Sequence, residues 1–252
     1  MKVTIMLFAS LLLMAASYSQ ESQPDVQEIV QDIDQLYRTD TSYGLVEMNI
    51  ITPHWERTLK LKVWTEGRDK TFIRILEPAK EEGMGTLRIG DEMWNYLPKT
   101  NKVIKIPPSM MMSSWMGSDF NNNDLVREFT WVEDYNFSLI QPDTAKEELL
   151  YVKLIPKQGL PIVWGHVILA ARRSDHIPVW EKYYDETGKL MRVMNFKDIQ
   201  MMDGRKIPTV LELIPQNEEG HKTVMRYLEA DFNANLPSDI FSLRNLRSPE
   251  GQ

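Results

Sequence analysis

Residues 58–63 read Thr-Leu-Lys-Leu-Lys-Val, a strict alternation of polar and apolar side chains. Successive side chains of a β-strand point to opposite faces, so Leu59, Leu61 and Val63 share one apolar face. This pattern predicts a half-buried strand whose lysines lie in solvent. Further short runs rich in β-branched and aromatic residues also predict strands. They cover residues 72–76, 93–97, 103–106, 137–140, 149–155, 162–169, 179–184, 190–196, 209–214 and 223–229.

Turn residues separate these predicted strands, as at Glu66-Gly67-Arg68-Asp69 and Asp203-Gly204. Strands joined by such tight turns pair antiparallel, and the intervals are too short for crossover helices. About eleven strands therefore predict a mainly β fold, a half-open antiparallel β-barrel or strongly curved sheet. Two packed sheets are the alternative. Since the chain contains no fixed-period repeat and no low-complexity linker, we expect one domain.

An amphipathic helix is predicted near the N-terminus, roughly over residues 24–37. Apolar side chains such as Val26, Ile29, Val30 and Ile33 recur at helical spacing and leave an acidic opposite face. We interpret the acidic residues as a solvated helix face. They lack the spacing of ligands in a metal site.

Residues 109–120 interrupt the strand pattern with Ser-Met-Met-Met-Ser-Ser-Trp-Met-Gly-Ser-Asp-Phe, and we call them the Met-rich segment. It lies between Pro107-Pro108 and Asn121-Asn122-Asn123, which are stiff and polar boundaries. Met adapts to irregular apolar shapes but specifies a packed core poorly, so we predict a Met-rich helical lid over an apolar cavity. A core helix plugging one end of the sheet is the alternative. A short helix would gather four side chains on one side: Met111, Met112, Trp115 and Met116.

The N-terminus has the features of a secretory signal peptide. Lys2 precedes an apolar run from residue 3 to 16, and small residues follow up to Ser19. We predict cleavage after Ser19, with Ala16 or Ser17 as alternatives, so that residues 1–19 are a signal peptide and 20–252 a single domain. The run is shorter than the about 20 apolar residues of a membrane span, which disfavours an uncleaved anchor. The mature protein is expected in the periplasm.

Composition excludes several classes of protein. Among 252 residues, 36 are acidic and 29 basic, for a net charge of −7, whereas nucleic-acid binders normally present a basic face. The chain has no Cys, which excludes disulfides, thiolate metal sites and thiol catalysis. The four His residues are scattered, and we find no catalytic or dinucleotide motif. We therefore predict a protein that is not an enzyme and has no cofactor and no metal site.

The sequence resembles the outer-membrane lipoprotein-sorting protein family, the LolA-like periplasmic lipid and lipoprotein carriers, over roughly residues 43–246. Each motif is weak by itself, but together the motifs match the family in their order and spacing. They are Arg74-x-Leu76-x-Pro78 with residues 83–87, Trp94-x-Tyr96-x-Pro98 with Ile104-x-Ile106-Pro107, residues 116–120 with Asp124-Leu125, Tyr183-Tyr184-Asp185 with Gly188, Phe196-x-Asp198, Arg205-x-Ile207-Pro208, and Leu236-Pro237 with Phe241-Ser242. The resemblance implies a half-open antiparallel barrel closed by helices that carries acyl chains between two membranes, without catalysis or cofactor.

We accordingly predict a monomeric periplasmic carrier that binds acyl chains of lipoproteins or lipids and shuttles them toward the outer membrane. An inner-membrane transporter would be the donor of the cargo, and an outer-membrane protein would be its acceptor. Nucleic acid is not expected as a partner. The alternative is an envelope lipid-sensing or interaction domain on the same fold, which regulates or assists a membrane exporter.

Candidate ligand-binding residues are apolar positions of the predicted strands and of the Met-rich segment. Alternation places Leu61 with Val63, and Trp94 with Tyr96, on shared faces, but does not decide which face looks inward. The strand candidates are Met48, Ile50, Leu61, Val63, Phe72, Trp94, Tyr96, Met191 and Met194. The candidates in the Met-rich segment are Met111, Met112, Trp115, Met116 and Phe120. Head-group selectivity would come from a rim with Arg57, Arg68, Arg74 and Arg127.

Overall fold

The structure is a computed structural model that describes residues 24–122, 124, 130–160 and 162–248. The predicted signal peptide, residues 1–19, lies outside the described residues. So do Asn123, Leu125 and Arg127 from the sequence predictions.

The described chain begins with a helix and continues as strands. Helix α1 (Val26–Gln35) corresponds to the helix predicted over residues 24–37, and its N-cap Asp25 accepts a hydrogen bond from the Gln27 N–H at 2.9 Å. Two short helices, α2 (Trp131–Asp134) and α3 (Leu243–Arg247), were not predicted. The strands are β1 (Thr41–Ile51), β2 (Glu56–Glu66), β3 (Lys70–Glu77), β4 (Gly85–Ile89), β5 (Glu92–Leu97), β6 (Lys102–Lys105), β7 (Tyr135–Ile140), β8 (Leu149–Pro156), β9 (His166–Arg172), β10 (Pro178–Tyr184), β11 (Leu190–Met202), β12 (Arg205–Pro215) and β13 (Lys222–Phe232).

Within the described ranges, all thirteen strands form one antiparallel sheet in the order β6-β5-β4-β3-β2-β1-β13-β12-β11-β10-β9-β8-β7. Almost every neighbour in the sheet is also a neighbour in sequence. The exception is the pairing of the first strand with the last, in which Met48 of β1 lies opposite Met225 of β13. As a result β6 and β7 are the two edge strands, and the connection between them contains the Met-rich segment.

The prediction of about eleven strands was too low, because β1 and β4 were not recognised. Strand β4 is only five residues long and four of them, from Gly85 to Arg88, are buried. A strand buried on both faces shows no alternation, so the sequence around Gly83-Met84-Gly85 resembled a turn alone.

The sheet curves around one large apolar cluster, which we call the inner cluster. Ile29 and Val30 of α1 are 0% exposed and pack in it with residues from both halves of the sheet, such as Leu59 of β2 and Leu169 of β9. Strands so far apart in the order contact one core only if the sheet is strongly curved. Helix α1 therefore lies on the concave face of an open, curved sheet.

A second cluster, the outer cluster, lies on the other face of β2 to β5. Trp64, Phe72, Leu87 and Tyr96 pack there, and the C-terminal segment covers them with Ile240 and Leu246. β3 and β4 are therefore buried on both faces.

In the described part of the chain, no helix is both long enough and apolar enough to cross a membrane.

Candidate functional site

The predicted ligand-binding residues divide between the two faces of the sheet. Those on the concave face, within the inner cluster or packed against it, are Met48, Ile50, Leu61, Val63, Met194, Met111, Trp115, Met116 and Phe120. Those in or against the outer cluster are Phe72, Trp94 and Tyr96. Met112 and Met191 line a cleft at the surface.

Phe72, Trp94 and Tyr96 thus do not share the inner face with Leu61 and Val63. The C-terminal segment supplies them with apolar partners on the convex side, so these side chains are shielded from water on that face. On β5 the side chains that face inward are the alternate ones, Met93 and Asn95. Met93 is 0% exposed in the inner cluster, and the Asn95 Oδ1 accepts a hydrogen bond from the Thr86 hydroxyl at 2.7 Å.

The Met-rich segment is not the predicted helix. A short 3₁₀ turn at Pro108–Met110 is followed by turns, and Ser114 and Asn121 form an isolated antiparallel bridge. Met116 and Gly117 have φ angles of 53° and 76°, in the left-handed region, which a right-handed helix cannot contain. The segment is instead a compact loop folded back on itself.

The apolar side chains of this loop point in different directions. Trp115 and Phe120 are 2% and 7% exposed and enter the inner cluster, whereas Met112 is 49% exposed. The sequence predicted one shared side for Met111, Met112, Trp115 and Met116. In the structure these side chains do not all point the same way. In this structure the segment acts as a plug through Trp115 while it presents Met112 to solvent.

Polar contacts fasten the segment to separate strands. The Trp115 Nε1–H donates to the Thr86 hydroxyl of β4 at 3.1 Å, with both groups buried. The Asp119 N–H donates to the Thr223 hydroxyl of β13 at 2.9 Å, and this hydroxyl donates to the Asp119 Oδ2 at 2.6 Å. The Arg57 guanidinium of β2 donates to the Met116 carbonyl.

A buried ion pair fixes the chain just beyond the segment. Both terminal nitrogens of Arg192, on β11, donate to the Asp124 carboxylate at 2.8 Å. The two side chains are 11% and 16% exposed. Sequence reasoning missed this pair because its members lie 68 residues apart. The available signal was Arg192 itself, a charged residue inside the apolar run of β11.

A cleft of about 420 Å³ opens between the Met-rich segment and the sheet. Its walls come from the segment, the turns β1–β2 and β12–β13, and the beginning of β11. It combines apolar side chains, Trp55, Met112, Trp164, Met191 and Pro215, with charged or polar ones that include Asp119, Arg192, Glu218 and His221. A mixed apolar and polar cleft of this size suits a ligand with an apolar body and a polar group.

A buried carboxyl group lies next to Arg192 inside the sheet. Glu181 of β10 is 5% exposed and accepts a hydrogen bond from the Tyr183 hydroxyl. Burial raises the pKa of Glu181 to about 7, against the lowering effects of the Tyr183 hydrogen bond and the Arg192 charge.

Asp119, Glu218 and His221 converge at the cleft, with one potential ligand atom each within 4.8 Å of one another. The His221 Nδ1 lies 3.0 Å from the Glu218 carboxylate and 3.9 Å from that of Asp119. The imidazole thus lies between the two carboxylates, within hydrogen-bonding distance of Glu218. Sequence reasoning found the four His residues scattered and had no signal that Asp119 lay near His221.

The arginines predicted at the rim have different positions. Arg57 borders the Met-rich segment and also pairs with Glu81 at 3.4 Å. Arg68 pairs with Glu133 at 2.6 Å. Arg74 is 2% exposed beneath α3, so it is not a rim residue.

Sequence comparisons relate most of the chain to known families. A family model described as an uncharacterized protein matches residues 67–248. No curated protein matches the chain.

Solved structures with the same fold cover the described domain almost completely. A DUF1329 family protein from Desulfovibrio piger has a TM-score of 0.78 at 22% identity, with 87% of this chain and 97% of that chain covered. An outer membrane lipoprotein-sorting protein domain from Vibrio parahaemolyticus has a TM-score of 0.74 at 19% identity, covering 88% and 98%. A LolA superfamily protein from Nitrosomonas europaea has a TM-score of 0.71 at 21% identity, covering 88% and 99%. At these identities the likeness establishes the fold.

Proposed function

We propose a function from two premises: the chain belongs to the family of uncharacterized proteins whose model matches residues 67–248, and it has the fold of LolA superfamily proteins. The protein is a periplasmic carrier that binds acyl chains of lipoproteins or lipids inside the curved sheet and shuttles them toward the outer membrane. It works without catalysis and without a cofactor. A similar structure described as an outer membrane lipoprotein-sorting protein domain supports this class of cargo.

The observation that carries the proposal is the position of Trp115. This residue lies in the connection between the two edge strands, β6 and β7, and its side chain fills part of the apolar interior. Polar contacts also fasten the loop that bears it to separate strands, at Thr86, Thr223 and Arg57. Such contacts can be exchanged for water, so the loop can leave as a unit and expose the inner cluster.

Burial of an acyl chain supplies the free energy for this exchange. Each methylene that leaves water contributes about 0.8 kcal/mol, so a chain of about a dozen methylenes contributes on the order of 10 kcal/mol. Opening the loop removes Trp115 and Phe120 from the inner cluster, which costs about 2–3 kcal/mol for each fully exposed side chain. Acyl burial offsets this cost and also contributes to breaking the polar contacts of the loop, so cargo stabilises the open form.

The proposed route begins with export directed by residues 1–19. The mature monomer would receive cargo from an inner-membrane transporter and deliver it to an outer-membrane acceptor. Exposed apolar side chains near the cleft suit contact with such membrane proteins: Trp55 is 44%, Met110 48% and Met112 49% exposed.

The experiment is lipid extraction and native mass spectrometry of gently purified protein, followed by uptake of a fluorescent fatty acid. We expect copurified lipid. We also expect Trp115→Ala to tighten binding of the fatty acid about tenfold, equivalent to about 1.4 kcal/mol, because cargo no longer has to displace the indole. Trp94→Ala, on the outer cluster, is the matched control and should bind like the wild type.

A lipid-free spectrum combined with no fatty-acid uptake by the wild type and by Trp115→Ala would reject the carrier function. Tight binding to a membrane-protein fragment, with no transfer of lipid between vesicles, would support a sensing or interaction domain instead.

A further inference from the structure

The ion pair of Arg192 and Asp124 would break if the Met-rich segment opened. Asp124 is tied to Asn121 at the end of this segment: the Asn121 N–H donates to its carboxylate at 2.9 Å, and its own N–H donates to the Asn121 Oδ1 at 2.7 Å. Arg192 belongs to β11 and stays with the sheet. A movement of the segment therefore separates the carboxylate from the guanidinium.

Arg192 would be left charged in a largely dry position. The rings of Trp164 and Tyr183 lie 4.5 Å and 4.4 Å from its guanidinium carbon, and its Nε is buried without a hydrogen-bond partner among the described residues. Burial by itself lowers the pKa of Arg192, but the Asp124 carboxylate and, to a smaller extent, Tyr183 and Glu181 raise it, so the pKa is above its usual value. The side chain remains a cation in either state.

Glu181 is the other acid beside Arg192, but burial raises its pKa to about 7 and so favours its neutral form below that pH. A buried cation that loses Asp124 is therefore disfavoured unless another anion replaces it. The planar guanidinium can bind a carboxylate or a phosphate with two parallel hydrogen bonds, as it binds Asp124 here. An anionic ligand would thus restore the interaction that opening removes.

The cleft provides access to this position. Arg192 lines it together with Trp164, Met191 and Met112. A ligand whose anionic group reaches Arg192 would place the part of its chain next to that group against these apolar side chains, and the rest of its chain beneath the open segment. The carboxylates of Asp119 and Glu218 in the same cleft contact other groups, the Thr223 hydroxyl and the His221 imidazole respectively, and the ion pair of Arg192 is with Asp124.

We propose that Arg192 is the head-group site of the cargo, at which the carboxylate or phosphate of an anionic acyl lipid replaces Asp124 as the segment opens. This inference rests on the carrier function and specifies its substrate class: acyl chains that carry an anion. Asp124 then acts as the internal competitor that holds the empty protein closed.

The test compares two probes with the same chain, laurate and methyl laurate, by displacement of a fluorescent fatty-acid analogue. We expect the wild type to prefer laurate by about tenfold or more, which corresponds to about 1.4 kcal/mol. Arg192→Gln should reduce this preference to about twofold or less while it still binds the methyl ester. Arg226→Gln, which breaks an exposed pair with Asp198 at 3.1 Å, is the matched control and should keep the wild-type preference.

A second variant, Asp124→Asn, keeps Arg192 and weakens its competitor. It should bind laurate several-fold more tightly than the wild type and increase the preference for laurate over the ester. This variant also serves if Arg192→Gln does not fold.

The outcomes distinguish a failure of the head-group site from a failure of the carrier function. Equal binding of laurate and ester by the wild type, or an unchanged preference in both variants, would overturn the head-group site and leave the carrier function intact. No binding of either probe would reject the carrier function itself. Displacement of the analogue by inorganic phosphate alone, as strong as that by laurate, would indicate a site for small anions and also overturn the proposal.

Discussion

Arg74 joins the C-terminal helix α3 to the sheet through backbone carbonyls. Its guanidinium donates to the carbonyls of Asn245 at 2.9 Å, Leu246 at 3.1 Å and Gly83 at 2.6 Å. Burial lowers its pKa to about 10, so it remains charged at neutral pH. The carbonyls at the end of a short helix are therefore satisfied by a buried cation.

Replacing Arg74 with Met should destabilise the protein by about 3 kcal/mol, because several charge-assisted hydrogen bonds are lost and buried carbonyls stay unpaired. Urea unfolding measures this change. Lys60→Met is the control: it removes a pair with Glu77 at 3.8 Å, whose side chains are 37% and 68% exposed, and should cost less than about 0.5 kcal/mol. Equal unfolding midpoints for the two variants would contradict the role of Arg74.

Glu181 should make stability depend on pH. Its pKa rises from 4.5 to about 7 on folding because it is buried. The folded state thus binds the proton more tightly, and the stability gained from this proton is lost as pH rises from about 4.5 to about 7. The full effect is about 3 kcal/mol.

Unfolding of the wild type and Glu181→Gln between pH 4 and pH 8 tests this expectation. The variant should lose less stability than the wild type as pH rises, whereas Glu219→Gln, in an exposed turn, should follow the wild type. Parallel pH profiles for the wild type and Glu181→Gln would show that the carboxyl does not titrate as described.

Residue positions were predictable from sequence only where one face is apolar. Leu61 and Val63 alternate with lysines, and the structure places both with the inner cluster. Trp94 and Tyr96 also alternate, but their covering residues Ile240 and Leu246 come from a distant part of the chain. Which face is inner depends on this long-range packing, and local periodicity does not contain it.

Among the structural elements, the Met-rich segment has side chains in both of the surroundings that its two predicted roles require. Trp115 packs as a core residue would, while Met112 and Met110 lie in solvent as parts of a lid would. A helix was predicted because apolar spacing at Met111, Trp115 and Met116 fits one turn. The left-handed residues Met116 and Gly117 instead turn the chain back, and spacing alone does not reveal such a turn.

The Arg192 pair should control how often this segment opens. We expect Asp124→Asn to increase amide hydrogen exchange across residues 109–122 at least about tenfold, since an opening that costs 1.4 kcal/mol less is ten times as frequent. Exchange in β1 and β12 should stay as in the wild type. Asp143→Asn, an exposed loop residue, is the control. Uniformly faster exchange over the whole sheet would instead indicate a plain loss of stability.

At the scale of the whole molecule, the pairing of β1 with β13 decides where the protein can open. This pairing joins the first strand to the last, so within the described sheet the unpaired edges are those of β6 and β7. The antiparallel class followed from short β-prone runs and tight turns. The position of the unpaired edges could not be predicted from the sequence, because pairing between the first and last strands leaves no local signal.

The central claim is that acyl chains enter the inner cluster when the Met-rich segment moves away. The chain has no Cys, so an engineered disulfide can fix the segment without side reactions. Asp119 and Thr223 are chosen for the two cysteines because their side chains join the segment to β13, with oxygen atoms 2.6 Å apart. The double variant Asp119→Cys with Thr223→Cys joins the segment to β13, and its reduced form is the matched control.

Uptake of a fluorescent fatty acid by this variant, oxidised and then reduced, is the most direct measurement. We expect the oxidised protein to take up no more than about a tenth of the fatty acid bound by the reduced protein, and a reductant to restore binding within the same sample. Equal uptake by the locked and the reduced protein would show that cargo does not enter beneath this segment, and would contradict the account.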